Sequence, residues 1–206
     1  MLIALACAAC SKEKDKNGPF DPTKFYITGT IEDNIDSTGY ALLFQPNGIA
    51  VAVSARKTAN ATYEFKGGHL KLMLENSSEG FDFIIENNRI VNASALTHTI
   101  DLPHTYSLQK TPGTDAFKGK TFKGQINNTA ISVTFGNDGT LEVSEVVNDL
   151  RITQNGNYAL QNNAVAKANV KDIGSVLCIV LDGKLAISTS DATGDTQSYT
   201  VLAQVN

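Results

Sequence analysis

The sequence has no tryptophan, few prolines and no excess of basic residues. Among its 206 residues there are five prolines, and 17 lysines and arginines stand against 21 acidic residues, for a formal charge of −4. The lack of tryptophan removes the strongest stacking platform for sugars and bases. The acidic balance provides no basic surface for nucleic acid, so no nucleic-acid partner is expected. Few prolines and no long biased runs argue against extensive disorder.

Charged residues are also scarce, at 18% of the chain against about 25% in typical domains. Asn, Thr, Ser and Gly are plentiful instead, which suits short strands joined by many turns. No stretch shows a sustained helical periodicity. The length alone permits one large domain or two small ones.

Cysteine is too sparse to indicate a disulfide framework. Cys7 and Cys10 lie among the first ten residues, and Cys178 stands alone in the apolar run 176–180. Its counterpart in the internal repeat described below is Phe83, on the predicted core face. We therefore expect a buried thiol with a raised pKa and poor access, rather than a nucleophile.

The N-terminal segment predicts export. It is apolar up to Cys10, and residues 11–17 are abruptly charged. Only nine residues precede Cys10, far fewer than the roughly 20 that span a bilayer. A short apolar stretch with small residues at its end is typical of the end of a secretory signal peptide. We therefore expect residues 1–9 to be a signal-peptide remnant and residues 10–22 to be a lipidated cysteine with a flexible tether.

Small residues directly before a cysteine resemble a bacterial lipobox, where the signal peptide is cut before the cysteine and the cysteine is lipidated. Residues 4–6 before Cys7 match this pattern well. Residues 7–9 before Cys10 match less well at the outermost position, but a hydrophilic segment follows Cys10 at once. Cys10 is therefore the preferred lipidation site and Cys7 the alternative.

The residues after Cys10 are a serine followed by lysines and acidic residues. They resemble the start of mature Bacteroidota lipoproteins that are exported to the cell surface. This resemblance implies a protein of the bacterial cell envelope, lipid-anchored to the outer membrane and exposed at the surface. The membrane is then a partner through the N-terminal lipid, because several acyl chains hold a protein at a bilayer far more firmly than one.

Two hairpins with the same pattern mark an internal repeat. In residues 40–53 and 131–143, apolar residues alternate, a phenylalanine ends the first strand, and Asn-Gly or Asp-Gly makes the bend. Such dipeptides favour a type I′ turn, which needs positive φ at both central positions. Six landmarks recur in the same order at separations of 91 to 95 residues: Gly29 and Gly124, Phe44 and Phe135, Gly48 and Gly139, Tyr63 and Tyr158, Ile90 and Leu185, and Tyr106 and Tyr199. They indicate a duplication of about 94 residues, each copy a compact domain.

Period-2 alternation and turn residues predict eight strands in each copy. They are residues 25–31, 40–45, 49–55, 62–66, 69–75, 81–86, 89–93 and 105–109, and then 122–126, 130–135, 140–147, 157–160, 164–170, 175–181, 184–188 and 197–204. Closure removes the exposed edges of so many short strands. We predict an all-β protein of two tandem antiparallel meander or barrel-like repeats, residues 23–110 and 117–206, joined by the linker 111–116. The alternative is that both repeats merge into one larger barrel or sandwich.

The order of these features resembles the lipocalin-like domains of Bacteroidota lipoproteins. A Gly-Thr pair opens the first copy at Gly29, a strand ends in phenylalanine before the Asn-Gly turn, and a tyrosine strand follows. A Tyr-Ser-Leu or Tyr-Thr-Val strand closes each copy. The resemblance covers nearly the whole mature chain, twice. It implies duplicated lipocalin-like barrels and carries no catalytic residues across.

Histidines offer one loose candidate for metal binding. His98 and His104 flank Asp101, but the spacing is irregular and Pro103 lies inside it, which favours a solvated loop. His69 follows two glycines and begins a predicted strand on its polar face. We therefore expect His69 to be exposed.

Acidic residues in three turns resemble calcium ligands only superficially. Asp33 and Asp36 lack the Asp-x-Asp-x-Asp-Gly loop and its distal glutamate, Asp138 is explained by its turn, and Asp191 and Asp195 fit a polar hairpin loop. The sequence contains no Gly-x-Ser-x-Gly, His-Glu-x-x-His or phosphate-loop motif. We therefore expect no catalytic residue, metal ion or cofactor.

These features favour a non-enzymatic binding or scaffold lipoprotein, whose partner is a glycan, a protein or a small apolar ligand. The alternatives are a lipocalin-type carrier of a small apolar ligand and, third, an enzyme with an unrecognised site. A barrel of about eight strands leaves room for side chains or one small ligand. With strands this short, inward leucine, phenylalanine, valine and isoleucine should fill it. Binding is then expected at loops, at a barrel mouth or in the groove between the copies.

Overall fold

The computed structural model describes residues 20–32, 37–96, 105–126, 128–191 and 197–205. Within these ranges the chain forms sixteen strands and two short 3-10 turns, Pro22–Lys24 and Pro46–Gly48. The first eight strands are β1 Phe25–Glu32, β2 Ser37–Gln45, β3 Ile49–Ser54, β4 Thr58–Lys66, β5 His69–Leu74, β6 Gly80–Glu86, β7 Arg89–Ala95 and β8 Thr105–Lys110. The second eight are β9 Thr121–Ile126, β10 Thr129–Phe135, β11 Thr140–Val147, β12 Leu150–Asn162, β13 Val165–Val170, β14 Gly174–Leu181, β15 Lys184–Ser190 and β16 Gln197–Val205.

Each set of eight strands forms its own antiparallel barrel. The first sheet runs β7-β6-β5-β4-β3-β2-β1-β8 and is nearly closed, since β7 and β8 at its two edges lie next to each other. The second runs β10-β11-β12-β13-β14-β15-β16-β9 and closes fully, because β16 pairs with β9. The prediction of an all-β protein with two tandem barrels is confirmed. The alternative of one merged barrel is wrong, because the described strands pair only within their own set.

All sixteen predicted strands are present, but two of them begin four or more residues earlier than predicted. β4 starts at Thr58 rather than at residue 62, and β12 starts at Leu150 rather than at residue 157. In β12 the polar Gln154 lines the barrel interior while Leu150 is 70% exposed. The period-2 signal is lost there because a polar residue faces inward and an apolar residue faces solvent.

The two repeated hairpins turn in different ways. At the first, Asn47 and Gly48 have positive φ values of 65° and 73°, as predicted. At the second, Gly139 has a φ of 88° but Asp138 does not lie in the left-handed region, so the prediction of positive φ at both positions is wrong there. The Asp138 carboxylate accepts hydrogen bonds from Thr140 Oγ1 at 2.7 Å and from Thr140 N at 3.2 Å. These bonds hold the turn and lower the pKa of Asp138.

Two-residue turns in which both residues have positive φ connect four other strand pairs of the described chain. Each is bracketed by two paired residues, such as Leu181 and Lys184. Both turn residues have positive φ, which is typical of type I′, at Gly67-Gly68, Asn87-Asn88, Asn148-Asp149 and Asp182-Gly183. Glycine, asparagine and aspartate occupy these positions because they adopt the left-handed region at least cost.

Aromatic side chains close one end of each barrel. In the second barrel Phe117, on the segment before β9, packs against Phe135 with ring centroids 4.8 Å apart, and Phe135 packs against Tyr158 at 5.2 Å. In the first barrel Phe20, before β1, packs against Phe65 at 4.8 Å. We call these the closed ends and the opposite ends the mouths. Apolar side chains fill each interior between its two ends, as expected from the short strands.

The two barrels pack side by side through a third apolar cluster. Its members come from the outward faces around β1–β3 in the first barrel and β13–β15 in the second: Tyr26, Ala41, Leu43, Val53, Ala55, Ala164, Val165, Leu177, Ile179 and Ala186. None is more than 5% exposed. Burial of a large apolar side chain contributes about 1.5–3 kcal/mol, so this cluster holds the barrels in one arrangement.

Hydrogen bonds across the interface show how the barrels are oriented. Near the closed ends, the Tyr26 hydroxyl donates to the carbonyl of Val180. Near the mouths, Gly39 N donates to Ser188 Oγ at 3.3 Å. A Cβ on Gly39 would lie only 3.0 Å from the Tyr199 ring, so glycine permits the close approach. Both closed ends therefore face one way and both mouths face the other.

Candidate binding sites at the barrel mouths

The mouth of the second barrel contains a cavity of about 160 Å³. Strand alternation brings side chains from β10, β11, β12, β14, β15 and β16 to its wall, together with one from the turn before β14. The apolar lining residues are Ile131, Val143, Ile152, Ile173, Val176 and Ile187, and the polar ones are Glu145, Gln154, Thr189 and Ser198. The cavity thus combines an apolar floor, continuous with the core cluster, with a few polar groups near solvent.

Gln154 is the unusual residue of this cavity. It lies opposite Val143 in the β11–β12 ladder and in phase with the core-facing Tyr158. Its Oε1 atom is buried and has no hydrogen-bond partner. An unsatisfied buried acceptor costs about 1–3 kcal/mol, so this position carries a cost that a bound donor would remove.

The other polar groups of the second mouth differ in how well they are satisfied. Thr189 Oγ1 and Ser198 Oγ bond to each other at 2.7 Å. Glu145 is on the inward face of β11, between Ile131 and Ile152 in the ladder. Among the described lining residues it is the only charged one. The wall therefore offers acceptors and a negative charge but no cationic side chain.

The mouth of the first barrel contains a second cavity, of about 210 Å³. Its wall is mostly apolar, with Ile31, Leu42, Ala59, Leu74 and Phe81 among its residues and Ser54, Lys57 and Glu79 as its polar members outside the aromatic ones. Tyr40 also lines it, and its hydroxyl donates to the carbonyl of Thr105 at 3.2 Å. Burial raises the pKa of Tyr40, which keeps this hydroxyl a donor.

The two cavities occupy equivalent places in the repeat. The pairs Tyr40–Ser54 and Ala52–Ala59 of the first barrel match the pairs Ile131–Glu145 and Val143–Gln154 of the second in the strand ladders. All eight residues line their respective cavities. The duplication has therefore kept the mouth cavity and changed its chemistry.

A separate polar surface lies on the outside of the first barrel. Its residues are Glu64, Lys66, His69, Lys71 and Asp82. His69 begins β5 and its side chain is 46% exposed, so the prediction of exposure is confirmed. His69 Nδ1 lies 3.0 Å from Asp82 Oδ2. No group of three or more potential metal ligands is found in the part of the chain that is described.

Cys178 lies in the core of the second barrel, as predicted. It pairs with Ala166 and Ile187 in the ladders and is 1% exposed. Burial raises the pKa of its thiol to about 12. The thiolate that would act as a nucleophile is therefore strongly disfavoured at neutral pH.

Several residues singled out from the sequence lie outside the described ranges. They are the lipidation candidates Cys7 and Cys10, the histidine cluster His98, Asp101 and His104, and the acidic residues Asp33, Asp36 and Asp195. Asp191 is within the described ranges and follows β15 directly. Predictions about them stay predictions.

The mouth residues Glu145, Gln154, Thr189 and Ser198 were not predicted from the sequence. A signal existed for Glu145, since it follows Leu141 and Val143 in phase and breaks an otherwise apolar inward face. Gln154 lies in the first half of β12, which the alternation of apolar and polar residues did not predict as a strand.

Comparison with protein-family models and with curated protein sequences finds no match to this chain. No helix in the described ranges is long and apolar enough to cross a membrane. The fold and the cavities together define a tandem β-barrel protein with a small pocket at the mouth of each barrel.

Proposed function

We propose that this protein is a non-enzymatic binding module of the bacterial cell envelope that holds small ligands at its barrel mouths. The observation that supports this is the pair of cavities at equivalent positions, with Gln154 Oε1 left without a partner in one of them. Their volumes, about 160 and 210 Å³, are below the roughly 300–1,000 Å³ of typical ligand pockets. The ligand is therefore compact, which favours a binding module over a carrier of long lipids.

The proposed anchor is a lipid on Cys10, with Cys7 as the alternative, in the outer membrane and facing the cell surface. Phe20 at the closed end of the first barrel is ten residues after Cys10. An extended chain spans at most about 3.3–3.6 Å per residue, so the closed ends would stay within about 35 Å of the bilayer. Both mouths lie at the end opposite to the attachment point of this tether.

The anchor is tested by replacing each cysteine in turn. Cys10→Ala should move the protein from the membrane fraction to the soluble fraction, because the acyl chains would be lost. Cys7→Ala is the matched control and should leave the protein in the membrane fraction. The reverse result would assign the lipid to Cys7, and membrane association of both variants would contradict either assignment.

Ligand binding at the mouths is tested by methyl NMR on the full chain carrying Cys7→Ala and Cys10→Ala. Isoleucine labelling gives four reporters in the second mouth, Ile131, Ile152, Ile173 and Ile187. Compact molecules with an apolar body and one polar group should shift these signals or that of Ile31 in the first mouth. A library that shifts only methyl groups elsewhere, or none, would contradict the proposed function.

A further inference from the structure

We propose that the mouth of the second barrel binds small primary amines, with the ammonium group between Glu145 and Gln154 and a compact hydrocarbon body on the apolar floor. This inference rests on the proposed function, since it names the ligand class of the same cavity. It follows from the polar groups of the wall, from the size of the cavity and from a comparison with the first barrel.

The polar groups of the wall favour a ligand that donates hydrogen bonds. Gln154 Oε1 is a buried acceptor without a partner, and buried polar groups in folded proteins are nearly always hydrogen-bonded. The Glu145 carboxylate is an acceptor in its ionised form. An ammonium group has three donors and no acceptor, so one group can satisfy both residues.

The charge of the wall selects a cation. Glu145 is the only charged side chain among the described lining residues, and no lysine, arginine or histidine is among them. A carboxylate ligand would bring a second negative charge beside Glu145, and the wall has no cationic side chain to pair with it. A charge-assisted hydrogen bond between an ammonium and a carboxylate is about twice as strong as a neutral one.

The size and floor of the cavity limit the rest of the ligand. A volume of about 160 Å³ is close to that of an engineered cavity of about 150 Å³ in another protein that takes up benzene. The floor is formed by branched aliphatic side chains such as Val143, Val176 and Ile187. A body of about six carbon atoms therefore fits.

The first mouth serves as an internal control. Ser54 stands at the position of Glu145 and Ala59 at the position of Gln154. The first mouth therefore lacks the carboxylate and the amide at these two positions, although its cavity is slightly larger. Its own carboxylate, Glu79, shares the wall with the cationic Lys57, which competes with a bound ammonium for the negative charge. A preference for amines should appear in the second mouth only.

The experiment titrates the full chain carrying Cys7→Ala and Cys10→Ala with four probes that share one ring: benzylamine, benzyl alcohol, benzoate and toluene. Isoleucine methyl NMR reports binding at Ile131, Ile152 and Ile187. Benzylamine should bind there about tenfold more tightly than benzyl alcohol, because it adds a hydrogen bond to a charged acceptor. Benzoate should bind more weakly than either.

Two variants and a control identify the residues. Glu145→Gln keeps the size of the side chain and should remove the tenfold preference for benzylamine. Glu142→Gln makes the same charge change on the exposed face of the same strand and should preserve it. Gln154→Leu removes the second acceptor, so it should weaken benzylamine and leave toluene binding unchanged. Dispersed amide spectra check that each variant is folded.

The outcomes separate this inference from the proposed function. Binding of toluene or benzyl alcohol at the second mouth without a preference for benzylamine would overturn the amine assignment and leave the proposed function standing. Equal or tighter binding of benzoate, or a preference that survives Glu145→Gln, would also overturn it. If no probe shifts a mouth methyl group, both proposals fail.

Discussion

Gln154 and Ala59 occupy equivalent positions in the two barrels, yet only Gln154 presents a polar group to its cavity. Glu145 and Ser54 are also equivalent, and of these two only Glu145 brings a charge to its cavity. The Gln154 amide costs stability, because its Oε1 atom is buried without a hydrogen-bond partner. The presence of Glu145 and Gln154 at these positions in one copy alone is more easily explained by ligand chemistry than by folding, since the first barrel forms its mouth with Ser54 and Ala59 there.

The backbone conformation at position 139 favours glycine. Its φ of 88° lies in the region that L side chains rarely adopt, although a Cβ there would meet nothing closer than 4.0 Å. Gly139→Val should therefore destabilise the protein by about 1–3 kcal/mol through backbone strain alone. For a chain of this size, each kcal/mol lowers Tm by about 2–4 °C, which a thermal melt can detect.

The control for this variant is Gly113→Val. Gly113 lies in the linker, has no positive φ and would meet nothing within 4 Å. Its Tm should change little. Equal Tm values for the two variants would show that the turn at Gly139 tolerates a β-branched residue and that the strain argument fails.

The strands show how far sequence patterns reach. Where apolar residues alternate, as in Leu70 and Leu72 of β5 or Phe81 and Phe83 of β6, the pattern predicts both the strand and its core face, and all four side chains are buried. Where the inward face is polar, as at Gln154, the pattern fails. The prediction thus covers the parts of each barrel that serve packing and misses the part that forms the mouth.

The interface between the barrels was also missed, although its strands carry a signal. β2 contains the run Ala41-Leu42-Leu43-Phe44 and β14 the run Val176-Leu177-Cys178-Ile179, each apolar at every position. A continuous apolar run indicates a strand buried on both faces. One face of each strand fills its own barrel and the other face fills the shared cluster. Which two strands meet depends on tertiary contacts that no local pattern contains.

The shared cluster should make the two barrels unfold together. Leu177 is fully buried in it, and Leu177→Asp would place an unpaired charge there, at a cost of at least about 3 kcal/mol. We expect a single calorimetric transition in the parent protein to split into two. We also expect a larger radius of gyration in small-angle X-ray scattering, because the linker would then be the remaining connection.

Val201→Asp is the matched control for this prediction. Val201 lies on the second barrel and is 44% exposed, so a charge there stays in water and should leave one transition. If Leu177→Asp also keeps one transition and the parent dimensions, the apolar cluster is not what couples the barrels.

The side-by-side packing with like ends aligned is heterologous, since the first barrel uses one face and the second uses a different one. Such a contact can in principle repeat without end. The face of the second barrel that a third barrel would need is polar, because the matches of Tyr26, Ala41, Leu43 and Val53 are Thr121, Ser132, Thr134 and Ser144. On the other side, His69 and Asp82 stand where the second barrel has Val165 and Leu177. After the duplication, hydroxyl groups therefore cover one outer side of the pair and the hydrogen-bonded His69 and Asp82 lie on the other, so neither outer side repeats the apolar surface that joins the two barrels.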